Sequence, residues 1–186
     1  VEGRITEREC EHIRAPYMEK ITMVDRWVGK TLDSLRDQGL MDETMVVIMS
    51  DHGQPMGNDE HGHGIMRKSR PWPYEELVHV PLMVHVPGVE GGQRISSFVQ
   101  NVDVTATIMD AMNLLDTEDS VSDHGMNTYG AEDFQGVSLL PVMTGEEKSV
   151  RDYAIAGYYG MSWSIITEDY SYVHWLVSED EKNKAD

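Results

Sequence analysis

The spacing of apolar residues predicts a long amphipathic helix in the first part of the chain. From residue 17 to about residue 38, apolar side chains recur every three or four positions while charged residues occupy the other faces. Pro16 stands where the first turn of a helix tolerates proline, so we expect the helix to begin there. Gly39 follows the last apolar position and suits the C-terminal cap.

Two short apolar runs predict buried strands. They cover residues 45–49 and 82–86, and such runs are typical of strands covered on both faces, as in a parallel sheet. A polar loop, residues 51 to about 76, separates them. A second helix is predicted from residue 103 to about residue 115, with Asp103 as its N-cap. This order of helices and strands indicates an α/β fold with a mostly parallel sheet flanked by helices.

The C-terminal part of the chain has a different pattern. Three strand-like segments rich in aromatic and β-branched residues cover residues 153–156, 163–166 and 172–176. The polar residues 167–171 join the last two and predict a hairpin. We therefore expect a small antiparallel strand region after the α/β part.

Composition and charge exclude several classes of protein. Asp and Glu total 33 against 15 Lys and Arg, a formal net charge of −18, which argues against nucleic acid and anionic membranes as partners. No apolar run is long enough for a transmembrane helix. The single cysteine, Cys10, excludes an internal disulfide framework and a cysteine-based zinc site. The cellular location stays open.

A candidate metal site follows the first predicted strand. Asp51 and His52 come directly after that strand and are followed by Gly53, whose freedom allows a tight turn that aims both side chains at one point. A carboxylate and an imidazole make a plausible pair of metal ligands at the strand end, where α/β sheets bind ligands. The same string recurs at residues 122–125, but there an acidic, turn-prone stretch precedes it, which favours a loop.

A cationic cluster lies shortly downstream in an otherwise acidic region. Arg67, Lys68 and Arg70 are three of the four basic residues between positions 37 and 147. Such a cluster could hold an anion, and a lysine beside a metal can hold and polarise a charged ester oxygen. Two histidines, His61 and His63, occur just before it in a glycine-flanked loop.

Several segments, in the right order, resemble the sulfatase family of the alkaline phosphatase superfamily. Residues 44–53 are similar to the family's metal-binding strand, and residues 63–68 to its His-Gly followed by a spaced lysine. Residues 102–107 and 136–145 are similar to two later signatures. The resemblance covers residues 17–177 and is to the C-terminal half of the catalytic domain. It implies an alkaline-phosphatase-like fold whose N-terminal half is missing here.

The resemblance also implies roles for single residues. Asp51 and His52 would bind one divalent metal ion, with Ca²⁺ as the first candidate and Mg²⁺ or Mn²⁺ as alternatives. Lys68 would be catalytic, contacting the sulfate and the bridging ester oxygen. Beyond these three residues, His61, His63 and Arg70 are further candidate substrate contacts, although ordinary loop residues fit the two histidines equally well.

The sequence departs from the family where the nucleophile belongs. Sulfatases of this type use a cysteine oxidised to formylglycine in a Cys-x-Pro/Ala-x-Arg context, which Cys10 lacks, so we do not expect Cys10 to be catalytic. Two ligand residues cannot complete the six to eight oxygen positions typical of Ca²⁺. We therefore expect the formylglycine and the remaining ligands to come from the rest of the same polypeptide, and the isolated chain to be inactive.

Three functions stay open from the sequence. The first is a metal-dependent sulfatase that hydrolyses a small-molecule or glycan sulfate ester. The second is a phosphodiesterase or phosphonate monoester hydrolase of the same superfamily, because fold does not decide chemistry. The third is a non-catalytic binding domain with a degenerate site. The resemblance implies that residues 1–150 are the C-terminal part of a sulfatase-like α/β catalytic domain and that residues 151–186 begin a small C-terminal β subdomain.

Overall fold

A computed structural model describes residues 6–57, 66, 73–116, 129–130 and 134–177 of the chain. These residues form two compact units, each described by itself. The first contains residues 6–57, 66 and 74–87, and the second contains residue 73 and the described residues from 88 onward. None of the described helices is long and apolar enough to span a membrane.

The first unit contains two helices, a 3₁₀ turn and two strands. They are α1 (Glu7–Asp37), the 3₁₀ turn Met41–Glu43, β1 (Val46–Met49), α2 (Glu75–Val78) and β2 (Leu82–His85). The second unit begins with α3 (Asp103–Ala111), β3 (Leu115–Asp116), β4 (Tyr129–Gly130) and α4 (Leu140–Thr144). It continues with β5 (Ala154–Tyr158), β6 (Ser162–Ile166) and β7 (Ser171–Trp175).

Helix α1 begins at Glu7, ten residues before the start of the apolar pattern at position 17, because Thr6 and Glu9 form a capping box. The Glu9 N–H donates to Thr6 Oγ1 at 3.4 Å, and the Glu9 carboxylate accepts the Thr6 N–H at 2.8 Å. Pro16 lies inside the helix, so the prediction that it marks the first turn is wrong. The missing proline N–H removes one helical hydrogen bond, and the helix continues on both sides of it.

The C-terminal end of α1 confirms the predicted glycine cap. Gly39 has φ of 69°, in the left-handed region that glycine adopts without a steric cost. Its N–H donates to the Arg36 carbonyl at 3.0 Å, and the Leu40 N–H donates to the Leu35 carbonyl at 2.9 Å. These two hydrogen bonds form a Schellman motif, which satisfies carbonyls that the helix leaves open.

Strands β1 and β2 both form, but they pair antiparallel, with Val46 opposite His85 and Met49 opposite Leu82. The expectation of a parallel arrangement is therefore wrong for this pair. An apolar run indicates that a strand is buried, but it does not indicate whether the neighbouring strand runs parallel or antiparallel to it. The strands are also half-buried rather than fully covered, with Met49 exposed. Among the described strands, parallel pairing occurs between β3 and β4, over two residues.

In the second unit, α3 packs its buried side chains Ala106 and Thr107 inward. Asp103 is the first residue of this helix rather than its N-cap, which is Val102. The helix also ends earlier than predicted, because Asn113 adopts the left-handed region with φ of 54° and turns the chain into β3.

The three C-terminal strands confirm the predicted antiparallel region. Strand β6 pairs with β5 on one side and with β7 on the other, both antiparallel. The predicted hairpin joins β6 to β7, and its turn is closed by the Thr167 N–H, which donates to the Tyr170 carbonyl at 2.8 Å. The predicted domain boundary at residue 150 stays a prediction.

Candidate functional site

Asp51 and His52 lie just beyond the C-terminal end of β1, where the sequence predicts them. Ser50 closes the turn by donating its hydroxyl to the His52 carbonyl at 2.7 Å. Asp51 Oδ1 accepts the His52 N–H at 2.9 Å. The Asp51 side chain is 88% exposed, so its second oxygen, Oδ2, faces solvent and is open to a ligand.

The ring of His52 has one nitrogen committed to the backbone. Its Nδ1 lies 2.7 Å from the Gly53 carbonyl oxygen. A carbonyl can only accept, so Nδ1 carries the proton in this hydrogen bond. In the neutral ring Nε2 then keeps its lone pair, and a backbone carbonyl on Nδ1 is a common way to orient a metal-binding histidine.

The two side chains fit a shared metal ion. Asp51 Oδ2 lies 3.7 Å from His52 Nε2. Two donor atoms bound to one divalent ion lie about 3 to 4 Å apart, given bond lengths of about 2.0 to 2.6 Å. The described residues contain no cluster of three or more His, Cys, Asp or Glu side chains that could hold a metal ion. Within this part of the chain, the pair therefore supplies two ligand atoms and no more.

Gly53 fixes the turn against α2. Its N–H donates to the Leu77 carbonyl at 2.7 Å. A Cβ at this position would lie 1.9 Å from the Glu76 carbonyl oxygen, closer than any side chain could tolerate. Only glycine allows the backbone at position 53 to approach α2 this closely. That approach places the Gly53 carbonyl within hydrogen-bond distance of His52 Nδ1.

Arg14 of α1 binds the backbone of residues 56–57, a contact that no pattern in the sequence predicts. Arg14 donates from Nε to the Met56 carbonyl at 2.7 Å and from Nη2 to the Gly57 carbonyl at 3.0 Å. Gly57 is buried with φ of 69°, and a Cβ there would lie 2.2 Å from Met66 Sδ. Cys10 lies beside it, buried and not disulfide-bonded.

The other predicted site residues lie outside the described residues. These are Lys68, His61, His63 and Arg70. Their proposed roles stay predictions, and the structure reports on Asp51 and His52 alone.

Comparison with known families decides the identity. The family model described as Sulfatase matches residues 3–114, which is more than half of the chain and includes Asp51, His52 and Lys68. The chain belongs to the sulfatase family. Membership implies the alkaline-phosphatase-like α/β fold.

Curated sulfatases are similar to this chain along much of its length. An N-acetylglucosamine-6-O-sulfatase of Bacteroides thetaiotaomicron is 29% identical over 89% of the chain, and a choline-sulfatase of Rhizobium meliloti is 27% identical over 95%. An arylsulfatase K of Bos taurus is 32% identical over 58%. The matches cover 28%, 32% and 19% of these relatives, so this sulfatase chain spans about a fifth to a third of their length.

Proposed function

We propose that this sulfatase chain is part of a metal-dependent enzyme that hydrolyses sulfate esters. The observation that carries the proposal is the Asp51–His52 pair, which lies at the end of β1 with Oδ2 and Nε2 3.7 Å apart, inside the region that matches the family. The rest of the same polypeptide supplies the further metal ligands and the strands that make the sheet mostly parallel.

Asp51 and His52 bind one divalent ion through Oδ2 and Nε2. Ca²⁺ is the first candidate, and Mg²⁺ and Mn²⁺ are the alternatives, because a carboxylate oxygen such as that of Asp51 suits all three ions. When bound, such an ion holds sulfate oxygens and offsets their negative charge. The Gly53 carbonyl keeps the proton on Nδ1 and so keeps Nε2 free to bind.

Lys68 stabilises the departing alcohol. Its ammonium group contacts the bridging ester oxygen, where negative charge develops as the bond to sulfur breaks. His61, His63 and Arg70 are available as contacts to the rest of the sulfate ester. The nucleophile is a formylglycine elsewhere in the polypeptide, so the isolated chain is inactive.

The substrate is a small-molecule or glycan sulfate ester. The names of the similar proteins include a sulfatase of N-acetylglucosamine 6-O-sulfate groups and one of choline sulfate. Both are sulfate monoesters, in keeping with a site whose chemistry is directed at the sulfate group rather than at the alcohol.

The test compares ester classes in the complete polypeptide. We expect kcat/KM for an aryl sulfate to exceed that for the matching aryl phosphodiester or phosphonate monoester. Lys68→Ala should reduce kcat far more for an alkyl sulfate than for a nitrophenyl sulfate, because the poorer leaving group depends more on the ammonium. Lys30→Ala on α1 is the control.

Two results would replace the proposal. Faster turnover of the phosphodiester or phosphonate would move the assignment to that branch of the superfamily. No turnover of any ester, with Asp51→Ala and Lys68→Ala leaving another function of the full-length protein intact, would indicate a binding domain with a degenerate site.

A further inference from the structure

Arg14 donates a hydrogen bond from each of its three guanidinium nitrogens. Besides the contacts of Nε and Nη2 with the carbonyls of Met56 and Gly57, its Nη1 donates to Glu7 Oε1 at 2.7 Å. All three guanidinium nitrogens are thus engaged, and the side chain is 27% exposed. The planar guanidinium group can donate to two successive backbone carbonyls at once from two nitrogens. A lysine has a single ammonium nitrogen and cannot reproduce this geometry.

Gln54 makes further hydrogen bonds that hold residues 54–57, the segment whose last two carbonyls Arg14 contacts. Its Nε2 donates to the carbonyls of Pro55 and Met66, both at 3.2 Å. Pro55 and Gly57 are buried. Residues 54–57 are therefore fixed at several points, by α1 on one side and by Met66 on the other.

One residue, Gly53, connects the Asp51–His52 pair to residues 54–57. Gly53 accepts from His52 Nδ1 through its carbonyl and donates its own N–H to Leu77. A shift of residues 54–57 would move the Gly53 carbonyl, because the peptide between Gly53 and Gln54 is planar and rigid. The orientation of the His52 ring then depends on how firmly residues 54–57 are held.

We propose that Arg14 is a positioning residue of the Asp51–His52 site, acting through the carbonyls of Met56 and Gly57. Gln54 assists by holding the segment to Met66. The proposal rests on the proposed function in taking the pair as part of a metal site. It goes beyond that function in assigning a role to a residue of α1 that contributes no metal ligand.

The test uses Arg14→Lys in the complete polypeptide, which keeps the charge but cannot reproduce the guanidinium geometry. Arg26→Lys, on an exposed arginine of the same helix, is the matched control. Gln54→Ala is a second variant that serves if Arg14→Lys does not fold. Asp51→Asn is the reference for loss of the anionic carboxylate at the proposed metal site.

Two readouts separate positioning from general stability. The first is amide hydrogen exchange of the peptide covering residues 50–57 in protein stripped of metal, which Arg14→Lys should accelerate about 10-fold while peptides from β5–β7 are unchanged. The second is Ca²⁺ or Mn²⁺ affinity by calorimetry, which should fall about 10-fold, as is typical when a group that orients a metal ligand is lost. Arg26→Lys should change neither.

The outcomes are distinct. Metal affinity unchanged in Arg14→Lys, with or without faster exchange, would overturn the positioning role and leave the proposed function standing if Asp51→Asn loses metal. Equal acceleration in every peptide would show that Arg14 only stabilises the fold, and would also overturn it. Wild-type protein that binds no metal, or Asp51→Asn that binds it normally, would instead overturn the metal site of the proposed function.

Discussion

Arg151 forms a bidentate ion pair with the carboxylate of Asp103, which lies 48 residues earlier in the chain. Nη1 lies 2.5 Å from Oδ2 and Nη2 lies 2.6 Å from Oδ1. The Asp103 side chain is fully buried, and it also accepts the backbone N–H groups of Gln100 and Val137 at 2.7 and 3.0 Å. The carboxylate therefore ties the start of α3 to the chain before α4 and to the chain before β5.

The first prediction concerns loss of this charge. Asp103→Asn should lower the free energy of unfolding by about 3 kcal/mol, because it leaves the largely buried Arg151 guanidinium without its anion. Asp33→Asn is the control, since Asp33 pairs with Arg36 on the exposed surface of α1, where a pair contributes at most about 1 kcal/mol. Urea unfolding of the two variants measures both values. Equal, small losses would contradict the account.

The second prediction concerns acid. Burial raises the pKa of Asp103, but the hydrogen bonds from Arg151, Val137 and Gln100 and the charge of Arg151 outweigh it, and the net pKa lies below the ordinary 3.8. A group with a lowered folded pKa contributes stability that is present above its ordinary pKa and lost as the pH falls through its folded pKa.

We therefore expect the stability difference between wild type and Asp103→Asn to be constant near neutrality. It should shrink as the pH falls below about 3.8, the ordinary pKa of the carboxyl. Unfolding free energies measured across this range check the sign. A difference that grows on acidification would be the opposite of what the pKa shift requires.

The third prediction concerns Gly53. Gly53→Ala should destabilise the first unit and weaken metal binding, because a Cβ would lie 1.9 Å from the Glu76 carbonyl oxygen and displace the turn. Gly29→Ala in α1 is the matched control, since its Cβ would meet nothing within 4 Å and alanine favours a helix by about 1 kcal/mol over glycine. Thermal unfolding should move in opposite directions in the two variants, and a shared direction would argue against the close backbone approach at Gly53.

The fourth prediction concerns the start of α1. Thr6→Ala should cost about 1 kcal/mol, because it removes the acceptor for the Glu9 N–H. Thr22→Ala, in the exposed middle of the same helix, should have little effect or a slightly stabilising one. Circular dichroism during urea unfolding compares them. Equivalent behaviour would mean that the capping box contributes nothing to the helix.

Local signals in the sequence predicted what local interactions determine. The glycine cap of α1 and the hairpin between β6 and β7 were confirmed, because each depends on residues adjacent in the chain. The early start of α1 was missed although Thr6 and Glu9 carry the capping-box spacing, since Pro16 gave a competing signal. The Thr6–Glu9 spacing is thus the local signal of the true helix start.

Long-range relationships had no such signal. Nothing near Arg14 or Arg151 in the chain shows which distant carbonyl or carboxylate each will contact. The direction of β2 relative to β1 could not be predicted either, because an apolar run indicates burial of a strand and not its orientation. At the candidate site, the predicted strand before Asp51 was enough to single out the Asp51–His52 pair. The hydrogen bond from His52 Nδ1 to the Gly53 carbonyl, which orients the ring, could be seen only in the structure.

The most direct test of the account is the rate of sulfate release from an aryl sulfate by the complete polypeptide carrying Asp51→Asn. Asp42→Asn, on an exposed acidic residue of the 3₁₀ turn before β1, is measured beside it. We predict a loss of at least about 100-fold for Asp51→Asn and a wild-type rate for Asp42→Asn, because replacing the anionic carboxylate with a neutral amide weakens metal binding and with it the charge stabilisation at the sulfate. A wild-type rate for Asp51→Asn would contradict the assignment of the Asp51–His52 pair to the active site.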